Sequence, residues 1–256
     1  MVAVAGGLMR TNAVLIVWMV LSASLFGQEI PVGTILPVQL NSSLKPEKAK
    51  PGQLISARLM QEVPLPDGVT IRAGAKVIGH VVAVKRSDHG SSAEISLRFD
   101  TLAIDKKRIA ILTSLRALAS MMEVFEAQIP ESGPDRGTSE YNWTTDQIGG
   151  EVNYHSNGVI THGSTIVGHS VPNGVLVYIT ETPGAECRGE VDSNHRLQAF
   201  WLFSSDACGL YGYPDVSLTH AGRTPPAGEI KLSSDKGGFN IRAGSGMLLR
   251  VNPPTS

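Results

Sequence analysis

Along most of this chain the apolar residues are grouped into short runs of strand length, and turn residues separate one run from the next. In residues 93–99 every second side chain is apolar, which predicts a strand with one buried face. Residues 54–59 and 76–84 are further β-prone runs bounded by turn residues. A polar turn at residues 105–107 leads into a run at residues 108–113, and these neighbours predict a hairpin. The pattern therefore predicts strands throughout residues 30–115.

Six short phrases that end in glycine mark turns, and a β-prone run follows each of them. Four of the six read Pro-x-Gly, in which proline presets φ for the second turn position and glycine suits the fourth. The phrases are residues 30–33, 65–68, 71–74, 171–174, 225–228 and 241–244. Three lie before Lys76 and three after Ser170, so they predict two β modules instead of one continuous repeat.

The spacing of apolar residues changes between residues 115 and 129. Apolar side chains recur there at three- and four-residue steps, as on one face of an amphipathic helix, and Pro130 and the polar loop 131–137 follow. We therefore expect a mainly β fold of two small barrel-like or sandwich-like modules, joined by one amphipathic helix and a flexible segment. The expected boundaries are 29–114 for the first module, 115–149 for the helix and linker, and 150–256 for the second module. The strand candidates of the second module are residues 151–154, 159–161, 165–167, 175–180, 197–203, 229–233 and 246–251.

Residues 1–28 have the pattern of a secretory signal peptide. Arg10 is the only charged side chain before Glu29, and an apolar stretch at residues 13–26 ends among small residues. The stretch is shorter than the roughly 20 apolar residues that span a bilayer, so we expect cleavage, after Gly27 or after Ser24. The mature protein would then carry no transmembrane span and be exported to the periplasm, the outer envelope or the medium.

Two cysteines, Cys187 and Cys208, lie in the second half of the chain. In an oxidising compartment an even pair predicts a disulfide, and closing a loop of about 22 residues would stabilise the fold by roughly 3 kcal/mol in the chain-entropy model. The alternatives are a free catalytic thiol and a zinc site. No Cys–His arrangement supports the catalytic thiol, and no second ligand at the usual spacing supports the zinc site.

The charge balance limits the class of partner. The formal charge is −1 at pH 7 and becomes about −2 without Arg10, which gives no electrostatic reason to expect nucleic acid or an anionic membrane surface. Aromatic residues make up 5% of the chain, too few for a broad stacking surface. The charge balance therefore argues against nucleic acid, and the partner that we expect is an unidentified envelope protein or a glycan.

Residues 30–34 (IPVGT) and 71–79 (IRAGAKVIG), with residues 44–52 between them, resemble a β domain of exported bacterial proteins and of the TrbI-like family of type IV secretion channel subunits. Arg72 stands where that family has a second proline, and the family's proline-rich arm and membrane-spanning antenna helix are not seen. The resemblance implies a β-barrel-like module and, as one alternative, an accessory subunit of a secretion channel. Residues 203–213 and 219–223 resemble uncharacterised exported bacterial proteins, which imply no activity.

Three histidines, His155, His162 and His169, stand seven residues apart. Side chains alternate faces along a strand, so an odd spacing places neighbours on opposite sides unless a turn intervenes. Turn residues do lie between them, and whether the three side chains converge stays open. We predict no metal site and no cofactor.

No motif for catalysis stands out along the chain. The sequence contains no Gly-x-Ser-x-Gly, P-loop, dinucleotide fingerprint or calcium loop, and we assign no catalytic residue. A candidate binding loop carries Asp206, Tyr211 and Tyr213 beside Cys208, although the two tyrosines would equally pack on the core. We expect an exported binding or structural protein without catalytic activity; the alternative is an exported hydrolase with a site around Asp206 and His220.

Overall fold

The computed structural model describes residues 2, 29–87, 92–128, 142–155, 157–179, 187 and 195–254. Apart from residue 2, the expected signal peptide lies outside these residues, as does the loop 131–137. The described residues form a mainly β fold with one short helix, as the sequence predicts. The strands are β1 (Ile35–Leu40), β2 (Leu54–Leu59), β3 (Val63–Pro64), β4 (Thr70–Ile71), β5 (Lys76–Lys85), β6 (Ala93–Ile104), β7 (Lys107–Ala110), β8 (Thr113–Ala119), β9 (Asn142–Gln147), β10 (Gly150–His155), β11 (Val159–His162), β12 (Thr165–Val171), β13 (Gly174–Tyr178), β14 (Leu197–Ala199), β15 (Gly209–Tyr211), β16 (Ser217–Ala221), β17 (Ile230–Ser234) and β18 (Gly246–Val251), and the helix is α1 (Met121–Glu126).

The larger of the sheets has ten strands. Nine follow the order β15-β8-β18-β1-β2-β5-β6-β17-β16, and β7 pairs with β6. Neighbours are antiparallel except β15 and β8, which run parallel. Strands from both sides of the segment 115–149 share this sheet, and the domain boundary expected there stays a prediction.

The large sheet curls into a half-barrel, and polar contacts link strands from its opposite edges. The Asn252 side chain donates a hydrogen bond to the carbonyl of Gly222 at 3.2 Å, and Arg223 donates to the carbonyl of Leu115 at 3.4 Å. Gly222 and Arg223 follow the edge strand β16, whereas Leu115 belongs to β8 near the other edge. The hollow of the half-barrel is filled by buried aliphatic and aromatic side chains, among them Leu36, Val38, Leu97, Phe99 and Leu249.

The predicted helix over residues 115–129 is shorter in the structure. Residues 115–119 belong to β8, and α1 spans only Met121–Glu126. All seven residues of β8 are buried, because one face of the strand packs into the half-barrel and the other face packs under the second sheet. A strand that is buried on both faces lacks the alternation of polar and apolar residues by which a half-exposed strand is recognised. Arg116 adds a β-bulge, since Leu115 and Ala117 pair with consecutive residues of β18. Because of this extra residue, Leu115 and Leu118 lie in the same buried cluster although they are three positions apart, which is also the spacing of one face of a helix.

The hairpin predicted after residues 93–99 is present as β6 and β7. Its register pairs Ile104 with Lys107 across the turn, where Asp105 has a φ of 53°. The second strand is shorter than predicted because β7 ends at Ala110 and β8 begins at Thr113.

The second sheet is an antiparallel meander in the order β14-β13-β12-β11-β10-β9. It contacts the outer face of the half-barrel, where the Ile35 backbone N–H donates to Gln198 Oε1 of β14 at 3.2 Å. A second cluster of buried side chains fills this junction, including Ile35, Leu248, Val177, Phe200 and Phe203. The hairpin of β3 and β4 forms a separate two-stranded sheet, and its Val63 and Ile71 belong to the buried cluster of the half-barrel. No helix in the described part of the chain is long and apolar enough to cross a membrane.

Candidate functional site

A cleft of about 840 Å³ lies where the second sheet meets the end of α1 and the turn at residues 201–202. Its walls come from the β9–β10 hairpin, the β12–β13 turn and the residues just after α1. Cavities of roughly 300–1,000 Å³ are the usual size for small-ligand sites. The cleft is therefore large enough to take a ligand or a short segment of a polymer.

One wall of the cleft is fixed by Gln61, a fully buried side chain. Its amide nitrogen donates to the carbonyl of Val175 at 2.8 Å, and its amide oxygen accepts from the backbone N–H of Trp201 at 2.7 Å. A Cβ at Gly174 would overlap Gln61 Oε1 and lie 2.8 Å from the Cα of Trp201, so only glycine fits this close approach. Gln61 thus joins β13 to the 201–202 turn on the wall of the cleft.

Two residues that line the cleft have left-handed backbone conformations. Asn173 has a φ of 64° and occupies the third position of the Val171–Gly174 turn, where a positive φ suits asparagine. Trp201 has a φ of 54°, which is rare for a bulky side chain and costs on the order of 1–3 kcal/mol. The hydrogen bond from Trp201 to Gln61 helps to hold this conformation.

Polar groups converge at the other side of the cleft. Gln147 is only 8% exposed, and its Nε2 donates to the Tyr154 hydroxyl at 2.7 Å, whereas its Oε1 is buried and has no hydrogen-bond partner in the described part of the chain. Burial raises the pKa of the Tyr154 phenol above its ordinary 10.0, against a lowering effect of the Gln147 hydrogen bond. His155 Nε2 lies 3.0 Å from Thr161 Oγ1. Together with the exposed Asp146, Gln147, Tyr154 and His155 give this side of the cleft a lining of hydrogen-bonding groups.

The predicted disulfide between Cys187 and Cys208 is present, with Cα atoms 5.8 Å apart. The Arg223 guanidinium donates to the sulfur of Cys187 at 3.6 Å. Cys187 is buried, and the bond fixes it to the loop that leads into β15. The disulfide lies outside the cleft.

The residues of the candidate binding loop have partners within the fold. The Tyr211 hydroxyl accepts from the backbone N–H of Cys208 at 2.9 Å, and the Tyr213 hydroxyl lies 2.9 Å from Ser245 Oγ. Both rings pack against buried clusters, which is the packing alternative that the sequence left open. Burial raises the pKa of Tyr213, while the Ser245 hydrogen bond and the charge of Arg242 lower it. Neither tyrosine lines the cleft.

Asp206 and His220 have different partners in the structure. The Asp206 carboxylate lies 3.6 Å from His162 Nδ1 and accepts from the Ser205 hydroxyl at 3.1 Å. His220 Nδ1 lies 2.6 Å from the carbonyl of Glu229, and its Nε2 lies 3.1 Å from Thr224 Oγ1. The backbone nitrogen of Gly222 also lies 3.1 Å from Nδ1, so both ring nitrogens of His220 have partners within its own hairpin.

Two of the three evenly spaced histidines have separate partners: His155 contacts Thr161, and His162 pairs with Asp206. His169 is exposed on β12. Among the residues that the structure describes, no group of three or more His, Cys, Asp or Glu side chains could hold a metal ion.

Most residues that form or support the cleft could not be identified from the sequence. Gln61, Gln147 and Trp201 are far apart in the chain, and no motif connects them. The turn phrase at residues 171–174 was a usable signal, because it predicts the reversal that brings Asn173 and Gly174 to the cleft. Gln61 is also a lone amide next to Leu59 and Met60, but one polar residue after an apolar pair is a weak signal.

No protein-family model matches the chain, and no curated protein is significantly similar to it. The resemblance to the TrbI-like family therefore stays a prediction based on short turn-and-strand phrases.

Proposed function

We propose that the protein acts outside the cytoplasm, in the cell envelope or the medium, as a binding protein without catalytic activity, and that the cleft beside Gln147 and Trp201 is its binding site. The observation that carries this proposal is the cleft itself: a cavity of about 840 Å³ lined by Gln147, whose amide oxygen is buried and has no hydrogen-bond partner among the residues that the structure describes. A native fold rarely leaves such an acceptor unpaired, because it costs about 1–3 kcal/mol. A ligand that donates to it would remove that cost.

The rigidity of the wall also supports a binding role. Gln61 fixes β13 to Trp201, and its bond to the Trp201 N–H helps to hold the left-handed conformation of that residue. Sites that are formed in advance lose less conformational entropy on binding. The signal-peptide pattern and the Cys187–Cys208 disulfide support a place outside the cytoplasm.

The geometry gives less support to the hydrolase alternative. Catalysis by an aspartate and a histidine requires the two side chains to act on one another or on a shared nucleophile. Asp206 pairs with His162 instead, and His220 is bonded within the β16–β17 hairpin. We therefore favour binding over hydrolysis.

A blocked cleft tests the proposal. Ser170 is exposed and lines the cleft, so the ring of Ser170→Tyr would obstruct part of it, whereas Thr165→Tyr adds the same ring at an exposed position of β12 outside the cleft. Molecules that co-purify with the exported protein are released by denaturation and identified by mass spectrometry. We expect a bound molecule in the natural chain and in Thr165→Tyr, and its loss in Ser170→Tyr.

Two results would contradict the proposal. Equal recovery of the molecule from Ser170→Tyr would place binding elsewhere. Hydrolysis of ester, amide or glycoside substrates that disappears in Asp206→Asn or His220→Gln would establish the enzyme instead.

A further inference from the structure

A second cavity of about 330 Å³ adjoins the cleft. It lies between the β3–β4 hairpin and the β12–β13 turn, and Val171 and Asn173 line both cavities. The turn at residues 171–174 is therefore a ridge between two neighbouring spaces. A single elongated molecule that crosses this ridge would occupy both.

Both cavities offer negative charge. Among the described residues that line them, Asp146 in the cleft and Glu62 in the second cavity carry carboxylates, and both are exposed. The basic residue among them is His155 of the cleft, which contacts Thr161, and no described lysine or arginine lines either cavity. A carboxylate or phosphate ligand would therefore meet like charge without a lysine or arginine to compensate, whereas a cationic group would gain an ion pair at either end.

The buried amide of Gln147 points to the same chemistry. In the observed orientation Gln147 Oε1 is the unpartnered atom, and an acceptor of this kind requires a donor from the ligand. The neighbouring Asp146 is an acceptor as well. Ammonium groups carry three donors and no acceptor, so they complement this wall better than a hydroxyl group does.

We infer that the cleft and the adjoining cavity bind one elongated ligand with amino groups, one end near Asp146 and Gln147 and the other near Glu62. The inference rests on the proposed function, because it assigns a ligand class to the same cleft. Asn173, held in its left-handed conformation, forms the ridge over which the ligand passes.

Three probes of equal length test the ligand class: a linear eight-carbon chain with an amino group, a hydroxyl group or a carboxylate at both ends. Binding to the full chain is measured by calorimetry at low ionic strength. We expect heat from the diamine, weaker binding of the diol and none of the dicarboxylate. Asp146→Asn and Glu62→Gln should each weaken diamine binding up to about fivefold, as for a partly exposed ion pair. Gln147→Met should weaken it about tenfold or more, as for a lost hydrogen bond to a charged donor.

Asp67→Asn is the matched control. Asp67 is an exposed carboxylate between β3 and β4 that lines neither cavity, and asparagine keeps the oxygen that accepts from the Val69 N–H. Diamine affinity should be unchanged in this variant, and an unchanged melting temperature shows that each variant is folded.

The outcomes separate the two proposals. Tighter binding of the diol or the dicarboxylate, abolished by Ser170→Tyr, overturns the amine class but leaves the cleft as a binding site. Diamine binding that falls as much in Asp67→Asn as in Asp146→Asn reflects general attraction to an acidic surface and overturns the inference. Diamine binding that persists in Ser170→Tyr overturns both the ligand class and the site.

Discussion

Gln61 accepts a hydrogen bond from the backbone N–H of Trp201, although 140 positions separate the two residues in the chain. Gln61 follows β2 of the half-barrel, whereas Trp201 follows β14 of the meander. One buried amide thus connects the two sheets at the wall of the cleft, and its second bond, to Val175, extends the connection to β13.

Gln61→Leu should lower the free energy of unfolding by about 2 to 4 kcal/mol. Leucine fills a similar volume but leaves the Trp201 N–H and the Val175 carbonyl buried without partners, at about 1–3 kcal/mol for each group. Urea denaturation measures the difference. Gln53→Leu is the control, since Gln53 is exposed and its side-chain oxygen accepts from the backbone N–H of the nearby Lys50, and it should change stability by less than about 0.5 kcal/mol. Equal stability of the two variants would show that the Gln61 bonds do not join the sheets.

Gly246 lies at a crowded contact between β18 and α1. A Cβ there would lie 2.9 Å from Val124 Cγ2 and 3.1 Å from Trp201 Cζ3, so Gly246→Ala should destabilise the fold by about 1–3 kcal/mol through overpacking. Gly150 provides the comparison, because a Cβ there would meet Ser204 Oγ at an ordinary 3.5 Å. Gly150→Ala should be neutral or slightly stabilising. Melting temperatures check both variants, and a neutral Gly246→Ala would refute the tight packing of α1 on β18.

The sequence predicts best those strands that have one solvent-facing side. In β6 polar residues alternate with apolar ones, and the strand was located; β5, β10 to β14, β17 and β18 were also found, from short β-prone runs between turn residues. The prediction fails at β8, where the second sheet covers the outer face and removes the polar alternation. The cleft could not be predicted because Gln147, Trp201 and the turn at residues 171–174 line one space only after the sheets have formed.

Ionisation of the Tyr213 phenol should lower the free energy of unfolding at alkaline pH. Burial raises its pKa in the folded state above the ordinary 10.0, so the folded protein keeps the phenolic proton at a pH where the unfolded chain loses it. The free energy of unfolding therefore falls as pH rises above 10.0, and this group contributes no pH dependence well below that value. Tyr154, whose pKa burial also raises, contributes in the same direction.

Tyr213→Phe tests this sign. Phenylalanine cannot make the bond to Ser245, so the free energy of unfolding of the variant should be about 1 kcal/mol lower at neutral pH. Above pH 10.0, however, its free energy of unfolding should fall less steeply with pH than that of the natural chain. Tyr178→Phe, at an exposed position, should keep the natural slope. Denaturation curves between neutral pH and pH 11 measure both slopes, and an identical slope in Tyr213→Phe would contradict the assignment.

The Cys187–Cys208 disulfide should contribute about 3 kcal/mol to stability, because it closes a loop of 21 residues in the unfolded chain. Adding a reductant should therefore lower the melting temperature of the natural protein. A double variant, Cys187→Ala with Cys208→Ala, should melt near the reduced protein and be insensitive to reductant. Alkylation without reductant should modify neither cysteine of the natural chain, and mass spectrometry detects this. Two alkylated cysteines in the exported protein, or a melting temperature that ignores the reductant, would exclude a stabilising bond at this position.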